Sequence, residues 1–471
     1  MGQAISADHG QIFLFPPALE DWIPANHPAR FIREFVCELD LRKLGFKFKA
    51  VGAAGTDHYS AELLLSVWLY GYFERIRSSR KLEKALKTDL PLIWLAGTHQ
   101  PDHSSLWRFW SANKESLRKV FKETVLVADK LEMIEFTLMA VDGTKILASS
   151  SRKAMWSEKS LSEKEKALDK AIAEMEEAIG ADTSPEADPS IPEKLANKKK
   201  LREEIKAKRE HLKKEGRKHL HPGEPDARVM KNKRANDLCY NAQAVADAKS
   251  QIVTSADVTT DENDMGQLVP MIDQVVGNLG RAAEETLADS GYATEEQFAQ
   301  AEQREYPVLT ATKSASKGQE NQFRADLFHY DPESETVTCP VNGTLLSFER
   351  KRERKHTGII IKLFRCKNKE CPLRGLCSKD KRGKAVEIGP NRVARQRQTT
   401  KQKLPESKAK IRERAGIIEP IFALTKTHGG FTRFTYKGLD GAKTQWAVEM
   451  AGHNLRKIFQ KWQKAAPQKA A

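Results

Sequence analysis

The chain has 471 residues and a mass of 53.1 kDa, about three times the size of a typical single domain. Lys and Arg number 79 against 64 Asp and Glu, an excess that indicates a polyanionic partner. No long apolar run or leader-like N-terminus is present, so neither a membrane span nor secretion is expected, and the predicted location is the cytoplasm.

The first part of the chain shows apolar residues at helical spacing, which predicts an all-α domain over residues 1–131. Within it, helical patterns at 78–87 and 106–121 are separated by a break in which Asp102 or Ser104 would cap the second helix. The sequence leaves two interpretations open, a helix-turn-helix that binds DNA and a plain helical scaffold. The DNA interpretation depends on five basic residues, namely Arg75, Arg77, Arg80, Lys81 and Arg108.

A charged helical segment follows a short apolar run. The run at 136–141 predicts a buried strand that carries Asp142 at its carboxyl end. The segment 157–218 is rich in Glu, Lys, Ala and Leu, and its apolar stripe is broken by a Pro-containing stretch at 180–193. We predict an antiparallel helical hairpin within 151–225, serving either as a structural arm or dimer contact or as a DNA-contacting device.

The next segment alternates strands and helices. Strands are predicted at 240–246 and 252–258, a helix at 266–280, a strand ending at Asp289, a helix at 295–303 and a strand at 307–310. This order predicts an α/β sheet that begins with an antiparallel hairpin and adds later strands through helical crossovers. Asp142 and Asp289 would both lie at carboxyl ends of strands, where open α/β sheets place their sites.

The basic charge is concentrated in the last part of the chain. Residues 351–471 contain 31 Lys and Arg against 9 Asp and Glu, a net charge of +22. Four of the six cysteines lie nearby, and they predict either a tetrahedral structural Zn²⁺ site or free thiols in a basic loop. These four are Cys339, Cys366, Cys371 and Cys377.

A third acid lies on a predicted helix. In this helix Ile418, Phe422 and Thr425 would face inward, and Gly429 with Gly430 would end it. Glu419 would then join the two strand-end aspartates as oxygen ligands for a pair of Mg²⁺ or Mn²⁺ ions. Spacing alone also allows the plainer interpretation that the aspartates are turn or cap residues.

Many ordered motifs carry a resemblance to a known family. They include YSAELLLSVWLYGYFERIRSSRKLEKA, AVDGTKILASSSR, YNAQAVADA, VTTDENDMGQLVPMI, LADSGYAT, CPLRGLC and IIEPIFALTK. The chain resembles the DDE transposases of bacterial insertion sequences, in particular the insertion-sequence family numbered eleven eighty-two. The resemblance implies an α/β fold with an RNase-H-like mixed-sheet catalytic core over 132–458. The accompanying parts would be an N-terminal all-α domain at 1–131, a helical-hairpin insertion at 151–225, a Cys-rich insertion at 312–405 and a basic tail at 459–471.

The resemblance also implies residue roles. Asp142, Asp289 and Glu419 would form the metal-binding triad, and Arg414 and Lys426 would contact DNA beside the catalytic Glu. Two positions depart from the family pattern without removing a metal ligand, because Ile411 replaces a Tyr and Ala423 replaces a Gly. For further phosphate contacts the sequence offers the basic region 351–403 together with Arg433 and Lys437.

The implied function is cleavage at the ends of the element and strand transfer into target DNA by two-metal-ion chemistry. The implied partners are double-stranded DNA, as terminal inverted repeats and target, and a second copy of the chain in a homodimer on the DNA. The protein would then associate with the nucleoid. Two alternatives are a DNA-binding transposase remnant without activity and a metal-dependent nuclease that needs no defined DNA ends.

Overall fold

The structure is a computed structural model that describes residues 18–47, 58–181, 190–232, 235–311, 323–354 and 358–465. Over these residues no helix is long and apolar enough to cross a membrane. The described elements are an N-terminal group of helices, a six-stranded sheet, a pair of long helices, a five-stranded sheet and three C-terminal helices.

The N-terminal region is helical, as predicted. Its helices are α1 Pro28–Cys37, α2 Ala61–Phe73, α3 Ser79–Ala85, α4 Leu90–Leu95, α5 His103–Ala112 and α6 Lys114–Lys130. Helix α2 is apolar on nearly all sides and is therefore buried at the centre of the group. Trp68 and Trp110 are fully buried, and their ring centroids lie 4.7 Å apart.

The predicted helix-turn-helix is only partly correct. The side chain of Asp102 caps α5, as expected, by accepting a hydrogen bond from the backbone N of Ser105 at 2.6 Å. The break before α5, however, contains the additional helix α4. The second helical pattern also divides at Asn113, whose side-chain amide donates to the carbonyl of Phe109 at 2.8 Å. A side chain that binds its own helix in this way competes with continued helix formation.

The central sheet is mixed, in agreement with the predicted α/β class. Its strands are β1 Met139–Leu147, β4 Arg228–Asn232, β5 Ala235–Asp247, β6 Val253–Thr259, β7 Thr286–Ala288 and β8 Val308–Thr310. Strands β4 and β6 both pair with β5, and the order continues through β1, β7 and β8. The β5–β6 hairpin is antiparallel, whereas β7 and β8 are parallel to β1 and enter through α9 Leu268–Leu279 and α10 Glu295–Gln303.

One strand boundary differs from the prediction. The strand expected at 136–141 begins at Met139 and continues beyond Asp142 to Leu147. The reason is β5, whose thirteen residues are long enough to pair with all nine residues of β1. Strand β7 pairs only with Met139 and Ala140. Asp142 therefore lies inside β1, just past the part that β7 covers.

Both helices of the predicted hairpin are present and pack against each other. They are α7 Glu158–Ala181 and α8 Ile191–Lys214, and the short antiparallel pair β2 Trp156–Ser157 and β3 His219–Leu220 lies at their base. Leu161, Ile205 and Leu212 form a small buried cluster with Leu220. Leu201, an apolar residue of the same predicted stripe, is not buried and is 42% exposed. Most of the predicted Pro-containing break, 182–189, lies outside the described residues.

The Cys-rich region forms a five-stranded sheet. Its strands are β9 His329–Asp331, β10 Thr336–Thr338, β11 Leu345–Glu353, β12 Ile360–Arg365 and β13 Ala385–Ile388. They run antiparallel in the order β13, β12, β11, β10, β9, and the short helix α11 Arg374–Cys377 precedes β13. Helix α12 Arg392–Lys403 then packs against α10 and α13.

The C-terminal helices complete the fold. Helix α13, Pro405–Ala423, is followed by a π-helical turn at Leu424–His428, and α14 spans Gly438–Ala465. Ile418 and Thr425 are buried and Phe422 is half-buried, as predicted. Helix α14 continues through residue 458, where the basic tail was expected to begin. It does so because Phe459 packs against Phe31, with ring centroids 5.5 Å apart.

Candidate active site

Two aspartates lie next to each other on parallel strands. The pairing of Met139 with Thr286 sets a register that places Asp142 opposite Asp289, which directly follows β7. Neighbouring strands are about 4.8 Å apart. Burial raises the pKa of the Asp142 carboxyl above its usual value, the nearby Arg414 guanidinium opposes this shift, and the negative charge of Asp289 adds to it. Two carboxylates placed this close favour the approach of a cation.

The cation present at this position is an arginine side chain from α13. Arg414 Nη1 donates to Asp142 Oδ2 at 3.0 Å, and Arg414 Nη2 lies 3.8 Å from Glu419 Oε1. The side chains of Asp142 and Arg414 are 18% and 15% exposed, whereas that of Glu419 is 61% exposed. The guanidinium therefore links two of the three acids predicted from the sequence.

These acids have the chemistry that a divalent ion needs, since Mg²⁺ and Mn²⁺ prefer carboxylate oxygens. Among the residues that the structure describes, however, no three His, Cys, Asp or Glu side chains stand in an arrangement that holds a metal ion. Asp142 and Asp289 lie side by side, and Glu419 reaches them only through Arg414. The donor set fits the ion, while the position of Arg414 separates Glu419 from the two aspartates.

A fourth acid, Asp264, lies behind Asp142 and was missed by the sequence analysis. Asp264 Oδ1 accepts hydrogen bonds from the side-chain amides of Asn241 at 2.6 Å and Gln243 at 2.7 Å. Lys145 Nζ lies 3.4 Å from the same oxygen. Gly143 leaves room for this group, because a Cβ at that position would overlap Gln243 and Asp264. The available signal was the motif VTTDENDMG, which begins with the last two residues of β6.

Gln243 connects this acid to the aromatic core. The hydroxyl of Tyr292, a fully buried side chain, donates to Gln243 Oε1. Burial raises the pKa of Tyr292 well above its usual value, and the charges of Asp264, Asp142 and Asp289 add to the shift. Trp446 is buried and donates from Nε1 to the backbone carbonyl of Gln243 at 2.8 Å. Asp264, Asn241, Gln243 and Tyr292 thus form one polar network against the buried core.

Two of the predicted phosphate contacts are instead hydrogen-bonded within the chain. Lys426 Nζ donates to Thr144 Oγ1 and to the carbonyl of Lys145, both at 2.9 Å. Arg433 Nη1 donates to the carbonyl of Ala148 at 2.6 Å, although much of its side chain is exposed. Both residues fasten the segment after α13 to β1. Lys437, the last of the four predicted contacts, is exposed.

Two arginines of the predicted helix-turn-helix also have internal partners. Arg77 forms a two-pronged ion pair with buried Glu449 of α14, at 2.6 and 2.7 Å, and donates to the carbonyl of Gly429. Arg75 donates to the carbonyl of His428 at 2.7 Å. These bonds connect the N-terminal helices to the turn that ends the Glu419 helix, a coupling that sequence spacing did not reveal.

The four clustered cysteines lie apart from these acids. All of them line a single cavity of about 30 Å³ in the Cys-rich region, and each is half-buried. Burial raises the pKa of the Cys377 thiol, Lys384 opposes the shift, and the other three sulfurs add to it. This arrangement agrees with the expectation that the four thiols lie close together. Among the described side chains, however, no three of them are arranged so that they could hold a metal ion.

Comparison with known families gives two matches. Residues 17–112 match the family model described as Transposase domain (DUF772), and residues 338–459 match the one described as Transposase DDE domain. No curated protein and no solved structure matches the chain. The DDE match contains Arg414, Glu419 and the four cysteines, and a DDE domain implies an RNase-H-like fold, with which the mixed sheet is consistent. Together the two matches support a transposase of the insertion-sequence type.

Proposed function

We propose that the chain is a DDE transposase, of the insertion-sequence family numbered eleven eighty-two, that cleaves DNA at the ends of its element. The freed 3′-hydroxyl then attacks a phosphodiester of target DNA. The observation that carries the proposal is the placement of Asp142 beside Asp289, with Arg414 of α13 hydrogen-bonded to Asp142 and 3.8 Å from Glu419. The chain that carries this arrangement of residues matches two family models described as transposase domains.

Asp142, Asp289 and Glu419 would hold divalent ions, Mg²⁺ or Mn²⁺, which when bound activate the attacking oxygen and stabilise the leaving oxygen. The chain's own part is to orient the acids. Strand β1 pairs with β5 along its whole length, including Asp142 with Ala244, so the backbone at Asp142 has little freedom. Glu419 is exposed and therefore free to turn toward the aspartates once Arg414 releases Asp142.

Arg414 would transfer from Asp142 to a DNA phosphate when DNA enters the site. A guanidinium binds a phosphate with the same two-pronged geometry that it uses with a carboxylate. Through this exchange one residue would serve both as the internal partner of Asp142 and as the DNA contact that the family resemblance implies. Because both partners are anionic, the exchange keeps the charge of Arg414 balanced throughout.

We propose that DNA binds to the exposed residues Arg433 and Lys437 and to the basic region 351–403. Lys426 would provide a further phosphate contact. The DNA would be the terminal inverted repeats and the target, bound by a homodimer associated with the nucleoid. We propose the division into a helical domain at 1–131, a core at 132–458 with insertions at 151–225 and 312–405, and a tail at 459–471. The divalent ions would bind within the core, at Asp142, Asp289 and Glu419.

The test is an assay with Mn²⁺ and labelled DNA that carries the ends of the element. The proposal expects nicking at the ends and strand transfer, and it expects Asp142→Ala to lose both while still binding DNA. Asp169→Ala, on the exposed arm, is the control. Binding without cleavage by the wild type would favour the inactive remnant, and cleavage without preference for ends would favour a plain nuclease. If Asp142→Ala cuts as well as the wild type, the site assignment fails.

A further inference from the structure

The proposed reaction makes no use of the four clustered cysteines, although the fold brings them together from separate elements. Cys339 directly follows β10, Cys366 directly follows β12, Cys371 lies in the loop before α11, and Cys377 is the last residue of α11. All four line the same cavity of about 30 Å³. A space of this size is large enough for a water molecule or a metal ion.

The backbone around two of these cysteines is bent tightly. The N–H of Cys339 donates to Thr344 at 2.9 Å and the N–H of Gly343 donates to Cys339 at 3.2 Å, in a turn where Gly343 has φ +70°. At Gly383, φ is +97°, and a Cβ there would overlap the carbonyl oxygen of Cys366. Only glycine accepts such a conformation at so close an approach. The two turns thus hold Cys339 and Cys366 at the edge of the cavity.

The other residues that line the cavity fit a negatively charged group of thiolates and a divalent ion. Phe328, Leu346 and Leu373 provide apolar walls, while Lys384 and Arg374 provide positive charge beside the sulfurs. Four thiolates around a divalent ion carry a net charge of about −2, which these two cations offset. All six cysteines of the described chain are free thiols, so no disulfide competes for the sulfurs.

The apolar cluster of the Cys-rich region is small. Its buried cluster contains seven residues for five strands, and these are Phe328, Tyr330, Val337, Leu346, Phe364, Val386 and Ile388. Small units of this kind commonly depend on a metal ion or on disulfides. The cavity lies at one end of this cluster, since Phe328 and Leu346 belong to both.

We propose that Cys339, Cys366, Cys371 and Cys377 bind one structural Zn²⁺ ion as a Cys₄ site. Four protein ligands leave no open position, so the ion stabilises the region and takes no part in DNA cleavage. Binding replaces four S–H protons with four sulfur–zinc bonds, and the protons pass to the solvent without any change of oxidation state. Because no three of the described thiols stand in ligand geometry, the sulfurs close onto the ion as it binds.

The experiment measures metal on the full chain purified under reducing conditions. We expect one zinc per chain by elemental analysis, and we expect Co²⁺ exchanged into the wild type to show the intense near-ultraviolet band of thiolate-to-cobalt charge transfer. The paired variant Cys371→Ser with Cys377→Ser should lose both signals. Cys37→Ser, which removes an exposed thiol far from the cluster, should keep them.

A wild-type chain that takes up neither zinc nor Co²⁺ overturns the proposal, and so does a paired variant that retains a full equivalent of zinc. The Co²⁺ spectrum of the wild type decides the question even if the paired variant fails to fold. Neither readout depends on DNA cleavage, so the zinc site and the proposed transposase activity stand or fall separately.

Discussion

Arg414 donates a hydrogen bond to Asp142 at 3.0 Å, and through this contact a helix-borne cation neutralises a buried strand carboxylate. The same oxygen is one that a divalent ion would need under the proposed function. Metal and guanidinium are therefore expected to compete for Asp142 in the absence of DNA.

Replacing Arg414 with Gln should tighten Mn²⁺ binding to the DNA-free protein by about tenfold, which corresponds to about 1.4 kcal/mol of removed competition. Cleavage should fall, because a DNA contact is lost. Titration of free Mn²⁺ by electron paramagnetic resonance measures the affinity. Arg412→Gln, on an exposed position of the same helix, removes the same charge and should leave Mn²⁺ affinity unchanged. Equal or weaker Mn²⁺ binding by Arg414→Gln would contradict the competition.

Asp264 is expected to position β1 rather than to contact DNA. An Asp264→Asn change replaces the carboxylate oxygen that accepts from Asn241 and Gln243 and faces Lys145 with a neutral amide oxygen. The charge-assisted contacts become weaker, which should cost on the order of 1–2 kcal/mol of stability. The nicking rate should fall about tenfold, and thermal unfolding should report the stability loss. Asp261→Asn, which affects an exposed acid bound only to Gln267, is the matched control. If the two variants behave alike, the network does not support the site.

The buried His453 gives the stability of the fold a defined pH dependence. Burial lowers the pKa of His453 to about 4, from an ordinary value of 6.5, while its ring hydrogen-bonds the carbonyl of Gln251. Between pH 6.5 and pH 4, His453 is protonated in the unfolded chain and neutral in the folded chain. The free energy of unfolding should therefore fall as pH drops from 6.5 to 4, by up to about 3 kcal/mol from this residue.

In His453→Gln the drop between pH 7 and pH 4.5 should be smaller than in the wild type, because Gln keeps a hydrogen-bond donor and does not titrate. Urea unfolding at pH 7 and pH 4.5 gives the free energy of unfolding of each protein at each pH. The drop between the two pH values is then compared between the variant and the wild type. An identical drop in both proteins would show that His453 is not the residue responsible.

DNA binding by the basic region predicts a salt dependence. Lys351 on β11 and Lys369 after β12 are exposed, and changing both to Gln should lower the slope of log affinity against log salt by up to about 2. Changing Lys198 and Lys200 of the arm to Gln removes equal charge and should alter the slope less. Fluorescence anisotropy over a salt series measures both slopes. A larger effect from the arm would move the DNA surface to the helical hairpin.

The sequence predicted those features that depend on local pattern. The short apolar run before Asp289, the β5–β6 hairpin and the helix at 295–303 all have local signals, and each is present. The continuation of β1 past Asp142 was not predictable in this way, because it depends on the length of its partner β5.

The partners of the site residues lay beyond sequence reasoning for the same reason. The family resemblance implied that Asp142, Arg414 and Glu419 belong together, but it could not show that the arginine contacts both acids. Likewise, the arginine-rich stretch around Arg77 has the composition of a DNA contact. Only the fold shows that Arg77 pairs with buried Glu449, more than three hundred residues away along the chain.

The most direct test of the central claim, that a helix glutamate completes the pair of strand aspartates, is the cleavage of element-end DNA by Glu419→Gln in Mn²⁺. The side chain is 61% exposed, so the variant should fold and bind DNA as the wild type does. The account predicts a loss of cleavage on the order of a hundredfold or more, about 3 kcal/mol of transition-state stabilisation. Cleavage at the wild-type rate would contradict it.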